Sequence, residues 1–125
     1  MNVAYNIDCM EYMKALPDKS IDLCLADPPY FSGPERRGHY GSKVSKIGVH
    51  RDYPISPHWE VPGEELFREI CRVAKRWIVW GCNYFEFAFP PGRIIWDKCN
   101  QGSSFSDCEI AATNCHKSVR LIRYM

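Results

Sequence analysis

The sequence has little net charge, no paired-cysteine motif and no long apolar run. Sixteen Lys and Arg against fifteen Asp and Glu leave a formal charge of +1 over 125 residues. So small an imbalance excludes nucleic-acid binding by bulk charge, and any such contact must come from a local patch. Seven cysteines stand at 9, 24, 71, 82, 99, 108 and 115. The number is odd, no C-x-x-C pair occurs, and no Cys/His cluster has zinc spacing, which excludes a small metal-binding interaction domain. The cysteines read as reduced thiols of a cytoplasmic protein, several of them packed in the core. Residues Met1 to Asn6 lack the basic-then-apolar layout of a signal, and nothing approaches the roughly 20 apolar residues of a membrane span. What remains is an ordinary globular composition, 46% hydrophobic and 25% charged. It suits one domain with a real core, small for a nucleotide-dependent enzyme.

The chain is organised around Ile21-Asp22-Leu23-Cys24-Leu25-Ala26-Asp27-Pro28-Pro29-Tyr30. Ile21, Leu23 and Leu25 alternate with Asp22, Cys24 and Ala26, the period of a short buried strand. Two prolines then fix the backbone and remove its donors, so the strand stops at once. Asp27 and Tyr30 are held at the carboxyl end of a strand, where ligands bind in open α/β sheets. A carbonyl next to proline and the Asp27 carboxylate can both accept from one NH2 group, and Tyr30 can lie on a flat ring. That corner suits gripping an exocyclic amine on an aromatic base.

On either side the chain alternates elements. Val3 to Ile7 reads as a short strand. Asp8 stands at a helix N-cap position with Glu11 three residues on, Cys9, Tyr12, Met13 and Leu16 follow at helical spacing, and Pro17 ends the helix. Residues 31–58 carry Gly33, Gly38, Gly41, Gly48, Pro34, Pro54 and Pro57 with no sustained apolar period, the mark of a long functional or flexible loop. Its Arg36, Arg37, Lys43, Lys46 and Arg51 outnumber Glu35 and Asp52, which suits phosphate contacts. A plain solvated loop has the same composition. From Gly63 a helix is expected, with Leu66, Phe67, Ile70, Cys71, Val73 and Ala74 on one face, Glu64 and Glu65 opening it, and Lys75 and Arg76 closing it. Trp77 to Gly81 reads as a buried strand, which makes a βαβ unit and a parallel sheet. Strands are expected again over 93–98, 107–113 and 119–124.

The D-P-P-Y at 27–30 resembles the signature of the amino-group DNA methyltransferases, which methylate adenine N6 or cytosine N4. Further segments are similar: Asp8-Cys9, Leu16-Pro17-Asp18-Lys19-Ser20-Ile21-Asp22, Trp80-Gly81-Cys82-Asn83, Trp96-Asp97-Lys98, and Phe105-Ser106-Asp107-Cys108-Glu109. The resemblance implies a site-specific DNA methyltransferase of a restriction-modification type that uses S-adenosylmethionine on double-stranded DNA. Asp27, Pro28, Pro29 and Tyr30 would be catalytic, and Asp27, Asp8 and Cys9 would meet the cofactor. Tyr30, Phe31, Phe105 and Glu109 would form the target-base pocket, and no metal or membrane is implied. Asp8 as a helix cap and Asp8 beside the cofactor are compatible readings, while a core Phe105 and an ion-paired Glu109 are the plain alternatives. Asp rather than Ser at 27 leans towards adenine over cytosine N4. RNA and protein methylases use the same corner, usually with Asn in first place.

The fold implied is α/β: a partial Rossmann-like methyltransferase sheet, mostly parallel with an antiparallel edge. Residues 1–125 would be the catalytic half in the permuted order, since no glycine-rich cofactor turn follows any strand. The implied sheet order is 3-2-1-4-5-7-6. With residues 3–7 as strand 3 and 21–26 as strand 4, the strands between are absent. The exposed apolar edge then calls for the missing cofactor half, a second chain or self-association. A catalytically silent truncated domain that binds DNA or a partner is the rival expectation.

Overall fold

In the computed structural model, residues 2–30, 60–102 and 106–124 are described. They fall into two units, residues 1–28 with 63–125, and residues 29–62. In the first unit, helices α1 (Cys9–Lys14) and α2 (Glu64–Val73) accompany strands β1 (Ile21–Ala26), β2 (Ala74–Trp80), β3 (Arg93–Asp97), β4 (Cys108–Thr113) and β5 (Val119–Arg123). The strands form one sheet in the order β1-β2-β4-β3-β5. β1 and β2 are parallel, as are β3 and β5, whereas β4 is antiparallel to both of its neighbours. Four strands therefore run one way. The reversed strand lies inside the sheet, not at the expected edge.

The core is the α2 face of the sheet. Phe67, Ile70 and Val73 of α2 pack with Trp77, Val79 and Ala112, and Cys24 and Ala26 of β1 close the cluster from one side. Phe67 is 1% exposed. It stands at the centre of an aromatic group, its ring centroid 4.8 Å from Phe85, 5.4 Å from Phe87 and 5.2 Å from Phe89. Thr113 holds the sheet's interior by donating from Oγ1 to the Trp77 carbonyl (2.7 Å), while Asn114 Oδ1 accepts from the Trp77 amide (2.8 Å).

Three expectations change. Residues 3–7 form no strand, although Val3, Tyr5 and Ile7 keep the alternation and are exposed. A strand needs a neighbour to pair its backbone, and among the described residues none lies beside residues 3–7. Helix α2 ends at Val73, not Arg76: Ala74 is extended (φ −98°, ψ 137°), and Arg76 pairs in register with Leu23. Lys19 makes that abrupt end possible, its Nζ donating to the carbonyls of Cys71 (2.5 Å) and Ala74 (3.1 Å). Finally, β1 is not buried on both sides: Leu23 and Leu25 are 53% and 66% exposed.

None of the seven cysteines is in a disulfide, and only Cys82 is fully buried. Burial pushes the Cys24, Cys71 and Cys82 thiols up, which keeps them protonated. Among the described residues no helix is long and apolar enough to cross a membrane.

Candidate active site

The register shows which residues share one end of the sheet. Ala26 is opposite Val79, so Asp27 follows β1 directly at its carboxyl end. β2 ends one residue later at Trp80, where Gly81 turns the chain in the left-handed region (φ 68°) into a single 3-10 turn, Cys82–Tyr84. The Gly81 amide donates to the Ile110 carbonyl (2.9 Å), tying that turn to β4. Because β4 runs backwards, its first residues, Cys108 and Glu109, lie at this same end, opposite Asp97 and Trp96. The reversed strand is thus what carries Glu109 towards the end of the sheet that holds Asp27. Asn83 sits in the turn after β2 and is exposed.

Asp27 is exposed and Pro28 is buried, so the proline anchors the corner. Pro29 and Tyr30 open the second unit and are both half-buried. Phe31, Arg36, Arg37, Lys43, Lys46, Arg51 and Phe105 lie outside the described residues. Glu109 is paired with Lys98, whose ammonium also stands 5.8 Å from the Trp96 ring centroid. That ion pair is the plain alternative expected for Glu109.

Asp8 caps α1 through one oxygen: Oδ1 accepts from the amides of Met10 (2.9 Å) and Glu11 (3.0 Å). Among the described residues no side-chain or backbone donor to Oδ2 is seen. Burial first, and then the neighbouring Cys9, raise the Cys24 thiol's pKa. The other end of α1 is held at the amino end of β1, where Arg72 donates to the Leu16 carbonyl (2.9 Å) and the Met13 carbonyl (2.8 Å).

Asp97 organises the end of β3, a role that its sequence context alone does not indicate. Its Oδ1 accepts from the Cys99 amide (2.9 Å) and Gln101 Nε2 (3.2 Å), and its Oδ2 from Arg123 Nε (2.9 Å). The Cys99 amide first, and then Arg123, hold its carboxyl below the usual range. The sequence signal was the Asp at a strand's end with an Arg on the last strand, a pairing visible only once β3 and β5 are adjacent.

No family model matches the chain. Over 31 residues it is 52% identical to the type II methyltransferase M.HinfI of Haemophilus influenzae, a stretch that spans 25% of this chain and 9% of that protein's length. The chain is thus similar, over a quarter of its residues, to a short part of a type II methyltransferase.

Proposed function

We propose that this chain is the target-base half of an S-adenosylmethionine-dependent DNA methyltransferase of the amino type, acting on adenine N6. One observation carries the reading. Asp27-Pro28 stands directly past the carboxyl end of the first strand of a parallel βαβ unit, in a sheet whose order β1-β2-β4-β3 runs like 4-5-7-6 of the implied family sheet. The similarity to a type II methyltransferase supports it.

The adenine amine is buried in pairing within a duplex, so the base must leave the stack. Asp27 and the Pro28 carbonyl would accept from that amine and direct its lone pair, and Tyr30 would lie on the ring. Alignment supplies most of the rate, and no covalent intermediate with the protein is required. When bound, S-adenosylmethionine supplies an electrophilic methyl group on a sulfonium. This chain's residues fit the donor only in part. The second oxygen of Asp8 suits its adenine end, and no glycine-rich turn in the sequence meets its ribose. The rest of the donor site belongs to a further segment or a second chain. The basic residues of 31–58 would contact double-stranded DNA by phosphate, in a cytoplasmic setting.

The test is transfer of label from tritiated S-adenosylmethionine to duplex DNA of mixed sequence by the chain together with the segment or partner that completes the donor site, followed by nucleoside analysis. We expect label in N6-methyladenine and a loss of about 100-fold in Asp27→Ala, the usual cost of removing one group that stabilises the reacting centre. Equal labelling by both proteins would reject the assignment of Asp27. The absent glycine cluster favours a second reading, a silent domain that binds DNA without the donor. It predicts duplex binding with no heat on titration with S-adenosylmethionine, and measurable methyl transfer would exclude it.

A further inference from the structure

We propose that the indole of Trp80 is a surface on which the target adenine rests while Asp27 holds its amine. The proposal deepens the methyl-transfer reading and rests on it.

Register and burial put the two residues side by side. β1 and β2 are neighbouring parallel strands with Ala26 opposite Val79, so Asp27 is level with Trp80. Adjacent strands lie only about 4.8 Å apart. The two residues also share a face. Ala26 packs on the core, Asp27 is exposed and Pro28 is buried, which carries the alternation of β1 past its last residue. In β2, Trp77 and Val79 are buried in the core, so Trp80 falls on the other face, away from α2. A flat ring whose amine is held at Asp27 has that indole beside it.

The indole is held in place without being covered. Ala111 is opposite Trp80 on β4, too small to lift the ring from the sheet. Beyond it, the Trp96 ring meets Trp80 edge to face, with centroids 6.4 Å apart. Trp96 is itself fixed: its Nε1 donates to the Tyr124 carbonyl (2.9 Å), and the Lys98 ammonium stands 5.8 Å from its centroid. Trp80 is nonetheless only half-buried, which leaves part of its surface to a ligand.

Such a surface supplies what the carboxylate lacks. A base gripped by its amine alone can swing about that contact, and a fixed aromatic plane removes the swing, which in-line transfer demands. Stacking needs only the π-face that every base has. A base has two faces, so a ring on one of them does not exclude Trp80 from the other.

The test compares the parent with Trp80→Leu and Trp80→Phe in the tritium-transfer assay on the completed enzyme. We expect kcat/KM for duplex DNA to fall about tenfold or more in Trp80→Leu, the usual cost of losing a base-stacking ring. Trp80→Phe should recover most of it. Proton NMR of the chain titrated with 2′-deoxyadenosine gives a readout that a packing role would not move. The Trp80 indole N–H, assigned by its loss in Trp80→Phe, should shift, and should shift less in Asp27→Ala; thymidine, which has no amine, should leave it in place. Full transfer by Trp80→Leu would overturn the proposal and leave the methyl-transfer reading standing. So would a loss that Trp80→Phe does not recover, or an indole signal that thymidine moves as far as 2′-deoxyadenosine does. No transfer by the parent would reject the reading itself, and the role of Trp80 with it.

Discussion

At the scale of single residues, the candidate site is a set of carboxylates with different tasks. Asp27 is exposed at a strand end, Asp8 caps a helix with one oxygen, and Asp97 ties the end of β3 to β5. Asp97 makes stability depend on pH in a defined direction. Its folded-state pKa lies below the unfolded value of about 3.9, so its contribution is present above that value and lost as pH falls through the lower folded one. Asp97→Asn should therefore be less stable than the parent at neutral pH, and the gap should close in acid, as followed by urea unfolding at stepped pH. Asp8→Ala removes the acceptor of two helix-end amides. It should cost about 1 kcal/mol, the usual value of an N-cap, measured by the same unfolding curves. A larger loss of donor binding than of stability would separate the two roles of Asp8.

At the scale of elements, the joints matter more than the strands. Helix α2 passes into β2 without a loop because Lys19 bridges the Cys71 carbonyl of α2 and the Ala74 carbonyl of β2, and Arg72 binds Glu69, Asp18 and the end of α1. The joint before β3 is tighter still. A Cβ on Gly92 would press against the carbonyl oxygens of His116 and Thr113, backbone atoms that cannot move aside. The Gly92 carbonyl also accepts from the Thr113 amide at 3.1 Å, which sets the register of β3 against β4. Gly92→Ala should destabilise the fold by about 3 kcal/mol, at the upper end of ordinary point substitutions. Thermal unfolding by circular dichroism would measure it. A neutral result would mean that β3 can shift along β4.

At the scale of the whole molecule, the sheet is covered on one face and open on the other among the described residues. Parallel sheets are ordinarily buried on both faces, and this one keeps Leu23, Leu25 and Ile122 at or above half exposure.

Much of this was legible from local physics. Alternating apolar residues ending in Pro-Pro specify a strand and its stop, Asp8 and the α1 spacing specify a capped helix, and β3, β4 and β5 fall within a residue or two of their expected bounds. The Asp27 corner was legible for the same reason, since proline restricts φ whatever surrounds it. Three things depended on the tertiary structure. Whether Val3 to Ile7 forms a strand depends on a neighbour to pair with. Whether Lys75 and Arg76 belong to helix or strand was decided by β1, which pairs their backbone. The gathering of Asp27, Asp97 and Glu109 at one end rests on β4 lying reversed between β2 and β3. Periodicity reports which face of a strand is apolar, but strand order and direction come from long-range pairing, which no local pattern encodes.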